Sequence, residues 1–311
     1  NSSTRAIEVA NTFDSDQWKD RVVLITGTTN GIGYETVRGF AAMKHSPTLI
    51  LANRSVERSK KAIEPITEEF KSVRIHHVTL DLSSLVSVRA CIDEVKALNL
   101  PINVLLLNAG VLLEKYEESE EGYEKHFAIN HLGHFVLTNG LIDTLVEAAE
   151  KSNNEFMSRV VVVSSHSHYQ GEIDFNRLPL SLDSFGSIVT QKAYAQSKLC
   201  NTLFANELNR RMENEGKPIR ANSLHPATMV HSNIGNGSSL VRMVMYIASF
   251  FTRSLEQAAA TSVYCSINPE LEGIGGKYFD ACAEKEASKT ANDASISAKL
   301  WEISVKLSEG K

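Results

Sequence analysis

The chain has 311 residues, of which 42% are hydrophobic and 22% charged, with 17 glycines and 7 prolines. This composition excludes collagen-like and disordered chains, and at roughly 150 residues per domain the length leaves room for one large domain or two. Lys plus Arg number 32 against 37 Asp plus Glu, a formal charge of −5, so no general attraction for nucleic acid or an anionic bilayer is expected.

A polar extension over residues 1–20 precedes an apolar run at 22–25 that predicts the first strand. It feeds Thr26-Gly27-Thr28-Thr29-Asn30-Gly31-Ile32-Gly33, and an amphipathic pattern then predicts a helix over 33–43. Glycines between a strand and a helix allow a tight turn, let the backbone approach a pyrophosphate and aim the helix N–H groups at the anion. Gly27, Thr29, Asn30, Gly31, Ile32 and Gly33 are therefore candidate cofactor-binding residues. A second strand at 48–52 runs into Asn53-Arg54. A carboxylate there would accept hydrogen bonds from a ribose 2′-hydroxyl and repel a 2′-phosphate. None is present, and the guanidinium of Arg54 can grip a phosphate through its planar fork. NADP(H) is expected over NAD(H), with Asn53 and Arg54 in the site.

A helix over 55–70, a strand at 73–79 and a helix over 85–98 follow. A strand at 104–107, a long helix over 122–149 and a strand at 159–163 come next. Residues 166–191 form a polar excursion of the length usually reserved for function. A helix over 192–213 carries Tyr194 and Lys198 four residues apart, on one face. A strand at 220–224 leads into His225-Pro226-Ala227-Thr228-Met229-Val230-His231. Beyond it, a Gly/Ser-rich hinge at 235–239 and an apolar stretch at 240–251 read as a substrate lid over 235–253, the alternative being an ordinary core or dimer-interface helix. A helix over 255–267 and a strand at 277–279 complete the pattern. Strands that are continuous apolar runs, alternating with helices, predict one doubly wound Rossmann-type α/β domain with a parallel sheet of about seven strands and helices on both faces.

The apolar run at 240–252 is broken by Arg242 and is shorter than the roughly 20 residues of a membrane span. A peripheral membrane contact through 240–251 and a homodimer are both compatible with the sequence. Four cysteines without paired spacing, Cys91, Cys200, Cys265 and Cys282, fit a reducing, cytoplasmic setting. His131 with His134, and His166 with His168, lack a carboxylate or cysteine to complete a metal site, so no metal is expected.

The T-G-x-x-x-G-x-G turn, Asn108-Ala109-Gly110, Ser164-Ser165 at a strand end and Tyr194-Ala195-Gln196-Ser197-Lys198 together resemble the short-chain dehydrogenase/reductase family. The resemblance implies that Asn108, Ala109 and Gly110 stabilise the sheet beside the cofactor, and that Asp81, followed by Leu82, lies at the adenine. It implies that Asn130 serves structure and a proton relay through a water, and that Ser165 holds the substrate oxygen. Tyr194 would be the acid/base, and Lys198 would also hold the nicotinamide ribose. Pro226, Thr228 and Met229 belong to a loop whose backbone contacts the nicotinamide in the family, although Ala227 replaces a usual glycine and His231 a usual threonine. Reduction of a carbonyl leaves alkoxide charge that needs a proton, for which a free tyrosine with pKa near 10 is poorly matched. The Lys198 ammonium is expected to favour the phenolate.

Within the family, Ser197-Lys198-Leu199-Cys200-Asn201, Asn206-Glu207-Leu208 before Arg210-Arg211, and Pro269-Glu270-Leu271-Glu272-Gly273 are similar to the branch of WW domain-containing oxidoreductases, with retinol dehydrogenases next. That branch implies a lipophilic, steroid- or retinoid-like alcohol or carbonyl substrate. The alternative is a cofactor-bound scaffold with weak or no turnover, and the intact set of Asn130, Ser165, Tyr194 and Lys198 favours the enzyme.

Overall fold

The computed structural model describes residues 4–152, 155–178, 189–226 and 254–309. Its strands are β1 (Val22–Thr26), β2 (Thr48–Asn53), β3 (Arg74–Thr79), β4 (Val104–Leu107), β5 (Ser158–Val163), β6 (Ile219–His225), β7 (Tyr278–Asp280) and β8 (Ala283–Lys285). They form an eight-stranded sheet in the order β3-β2-β1-β4-β5-β6-β7-β8. All pairs are parallel except β7 with β8. The expected seven-stranded parallel sheet thus gains an antiparallel edge strand, too short and too exposed to announce itself by hydrophobicity.

Alternation along β1 explains the continuous apolar runs. Val22 and Leu24 enter one core cluster and Val23 and Ile25 the other, because successive side chains point to opposite faces and both faces are covered. One cover consists of α4 (Leu85–Ala97), α5 (Gly133–Gly140), α6 (Ile142–Lys151), α7 (Val189–Asn214) and α9 (Ala294–Ser308). The other consists of α1 (Ala6–Thr12), α2 (Gly31–Ala41), α3 (Val56–Glu69) and α8 (Leu255–Ile267).

Three expectations are corrected. The polar extension contains α1, whose Ala6, Val9 and Ala10 are buried between α2 and α8. The single helix expected over 122–149 is three pieces: a π-helical turn at Phe127–Leu132, then α5, then α6 after a break at Leu141. Gly133 and Gly140 permit this tight course, since a Cβ would sit 2.8 Å from Leu82 O and 2.4 Å from Ile92 Cδ1, respectively. Finally, α9 carries no sequence expectation, because Ser297 and Ser304 occupy buried positions and hide its apolar period. It docks through Trp301, which stacks 6.0 Å from Phe204 and lies under the Arg211 guanidinium at 4.6 Å. Arg210 and Arg211 both pair with buried Glu207, and Asn206 donates to Ala291 O at 2.8 Å. The Asn206 to Arg211 motif therefore holds the C-terminal segment.

Candidate active site at the ends of β1, β4 and β5

Doubly wound sheets open a crevice where the strand order reverses, here between β1 and β4. The glycine turn lies at its edge. Gly27 has φ +71°, and a Cβ on it would lie 2.8 Å from Ala109 Cα; a Cβ on Gly33 would lie 2.1 Å from Gly27 O. Gly31 starts α2 at φ +61°, and Asn30 offers no side-chain cap. The first-turn N–H groups of α2 are thus left for another acceptor.

A cavity of about 990 Å³ opens there. Thr29, Asn30, Gly31, Ile32 and the flanking Gly27 and Gly33 line it, as do Asn53, Arg54, Asp81, Leu82 and Asn108-Ala109-Gly110. Arg58 and Lys61, which the sequence reading missed, line it as well. They follow Arg54 by four and seven residues, the spacing of one helix face, which was the available signal.

Asn53 lines the cavity chiefly as a strut. It accepts from Thr28 N at 2.8 Å and donates to Thr28 Oγ1 at 2.7 Å and Ser59 Oγ at 2.8 Å. Asp81 is turned onto its own loop, accepting from Ser83 N and Oγ at 2.9 and 2.6 Å. Thr26 is a hub: its Oγ1 accepts from Asn108 N and Ala109 N, each at 3.0 Å. Its proton therefore goes to His134 Nε2 at 3.0 Å, and His134 Nδ1–H donates to Asn130 O at 3.2 Å. Asn108 Nδ2 closes the unit onto Thr26 O and Gly27 O at 2.9 Å each.

Asn130 sits in the π-helical turn with its side chain fully engaged. It accepts from Val111 N at 2.8 Å and donates to Val111 O at 3.1 Å and Ser197 Oγ at 2.9 Å. Lys198 is buried, donates to Val163 O at 3.0 Å, and has its Nζ 5.7 Å from the Tyr194 ring centre. Burial draws its pKa down to about 8. Tyr194 and Ser165 are hydrogen-bonded through their side chains, joining α7 to the end of β5. Burial raises the Tyr194 pKa, opposed by the Ser165 bond, so the expected lowering by Lys198 is not met in the protein alone. Withdrawing a phenolate from water outweighs a distant ammonium.

Among the other expected positions, Pro226 follows β6 and is buried. Thr228, Met229, Ala227, His231 and the lid expected over 235–253 lie outside the described residues. His131 and His168 are engaged by side-chain hydrogen bonds to distant segments. His131 Nε2 meets Ser304 Oγ at 2.8 Å, and His168 joins Ser165 O to Ser288 N at 2.7 and 3.1 Å. Among the described residues no helix is long and apolar enough to cross a membrane.

A family profile described as short chain dehydrogenase matches residues 21–176. The chain is 40% identical to WW domain-containing oxidoreductase of Danio rerio, over 98% of this chain and 72% of that one. It is 35% identical to polyprenol dehydrogenase of Mus musculus, over 92% and 83%. A crystal structure of a putative uncharacterized protein from Mycobacterium paratuberculosis superposes with a TM-score of 0.75 at 28% identity, covering 97% of each chain. The chain belongs to the short-chain dehydrogenase family, and it is an oxidoreductase by that membership.

Proposed function

We propose that this short-chain dehydrogenase moves a hydride between NADP(H) and a lipophilic alcohol or carbonyl compound, with Tyr194 as the acid/base. The observation that carries the reading is the meeting of Ser165, Tyr194 and buried Lys198 where α7 crosses the end of β5, near a glycine turn packed too closely on Ala109 and on itself to admit a Cβ at Gly27 or Gly33. The residues present fit a dinucleotide. Gly27, Gly31 and Gly33 leave room for a pyrophosphate against the start of α2. Arg54, Arg58 and Lys61 line one part of the cavity with three cations, matched to a 2′-phosphate.

When bound, the nicotinamide would supply or accept the hydride. The protein's own groups handle the oxygen and its proton. Ser165 Oγ would hydrogen-bond the substrate oxygen, and the Tyr194 hydroxyl would give its proton to the developing alkoxide, or take it in the reverse direction. Lys198, held by Val163 O, would offset the charge left on the phenolate. Asn130 would keep Val111 and Ser197 in place around them and serve a proton path through water. The polyprenol-acting relative supports a long apolar substrate, with steroids and retinoids of the same character. The four dispersed cysteines, Cys91, Cys200, Cys265 and Cys282, support a reducing, cytoplasmic setting.

The test is a panel of retinol, a hydroxysteroid, a polyprenol and a small alcohol with both oxidised cofactors, followed by nicotinamide absorbance. Turnover of the long apolar alcohols with NADP is expected. NADPH binding without turnover of any alcohol or its carbonyl counterpart would favour the scaffold reading instead.

A further inference from the structure

Beside the acid/base lies a second buried pair that the proposed chemistry does not use. His126 and Glu124 are each 1% exposed. Glu124 Oε1 accepts from His126 N at 2.9 Å and meets His126 Nδ1 at 2.6 Å, while Oε2 accepts from Phe127 N at 2.8 Å. On its other side, His126 Nε2 accepts from Leu113 N at 2.9 Å. A backbone N–H can only donate, so Nε2 carries the lone pair and Nδ1 the proton, which goes to Glu124. The ring also stands edge-on to Tyr194, with centres 6.2 Å apart at 75°.

What His126 grips is a wall of the cavity. Val111, Leu112, Leu113 and Glu114 line it, and the segment leaves Gly110, whose Cβ would lie 3.3 Å from Lys198 Nζ. Val111 is pinned by Asn130. Two residues on, His126 takes the Leu113 amide in a stretch with no helix or strand of its own. We propose that His126, oriented by Glu124, is a positioning residue that holds this apolar wall in register with Tyr194 and so sets the binding of the carbonyl substrate.

The inference rests on the NADP(H) oxidoreductase reading, and two near-isosteres separate it from a role in stability alone. In His126→Gln the amide oxygen reaches the place of Nε2 and keeps Leu113 N while losing Glu124. In His126→Asn the side chain reaches only as far as Nδ1, keeping Glu124 and losing Leu113. With all-trans-retinal as probe and NADPH at saturation, His126→Asn should raise the KM for retinal five-fold or more, with kcat within two-fold. That is the signature of lost uniform binding. His126→Gln should stay within two-fold throughout. Hydrogen exchange at the Leu113 amide should quicken at least ten-fold in His126→Asn and stay near wild type in His126→Gln; this arm needs no turnover. If either variant fails to fold, Glu124→Gln, which frees the ring's orientation, should move KM and exchange in the same direction to a smaller extent. Parallel behaviour of the Asn and Gln variants, in KM or in exchange, overturns the proposal. Failure of the wild type to bind NADPH overturns the cofactor reading instead.

Discussion

His131 offers a stability measurement whose size follows from burial. Its ring lies 5.2 Å from Phe127, 5.9 Å from Phe204 and 6.1 Å from Phe135, centre to centre. Nε2 meets Ser304 Oγ, and Nδ1 is buried without a hydrogen-bond partner. A second proton would therefore place a charge, and an N–H with no acceptor, in an aromatic enclosure. Burial, with a smaller contribution from His134, lowers the His131 pKa from 6.5 to about 3. The folded pKa is the depressed one, so between these values the unfolded chain binds more protons. Stability is complete above about pH 6.5 and is lost as pH falls toward 3. At about 1.4 kcal/mol per pH unit, His131 alone accounts for up to about 5 kcal/mol over that range. Urea unfolding at half-unit steps from pH 7 to 4 gives the slope. His131→Phe removes the titration and leaves Ser304 without its partner, a pH-independent cost of about 1 kcal/mol. The slope is thus the quantity to compare: the variant's should be smaller by about 1.4 kcal/mol per unit between pH 6 and 4. Parallel stability curves for wild type and variant would refute the reasoning.

Tyr194→Phe keeps the ring and removes the hydroxyl, so turnover should fall roughly 100-fold or more with NADPH affinity nearly unchanged in a fluorescence titration; turnover within a few-fold of wild type would reject the acid/base role. Arg54→Ala should weaken NADPH by about 1.5 to 3 kcal/mol and NADH little, narrowing the preference by roughly ten-fold; equal weakening of both cofactors would remove Arg54 from the 2′-phosphate site. Gly33→Ala sets a methyl 2.1 Å from Gly27 O and 2.5 Å from Asn108 Nδ2. Relief requires the glycine turn to open, so it should cost about 3 kcal/mol or more in urea unfolding and abolish measurable NADPH binding; a fully stable, NADPH-binding variant would contradict the cradle.

Much was legible in the chain because the signal is local. The central strands β1, β2, β4 and β5 are runs of four to six residues with apolar side chains for both faces, and the turn from Thr26 to Gly33 announces itself because glycine alone tolerates its dihedrals and its closeness to Ala109. The four-residue step from Tyr194 to Lys198 sets them on one helix face wherever the helix goes. What failed locally failed for a reason. In α9, Ser297 and Ser304 stand at buried positions, and Ser304 is there to meet His131, 173 residues earlier. Arg58 and Lys61 carry no local mark of function, and it is the placement of α3 that brings them to the cavity the glycine turn also lines.

The sequence by itself therefore determined the alternation of strands and helices between residues 22 and 279 and the residue types of the glycine turn and of the Tyr194 to Lys198 step, since period, turn chemistry and motif spacing are properties of neighbours in the chain. Only the tertiary structure decided how those residues are held. It gave Asn53 to Thr28 and Ser59, Asn130 to Val111 and Ser197, and His126 to Leu113. It also set the Tyr194 phenol above its ordinary pKa and the Lys198 ammonium below its own, because desolvation sums over every atom packed around a group, and most of those atoms come from residues far away in sequence.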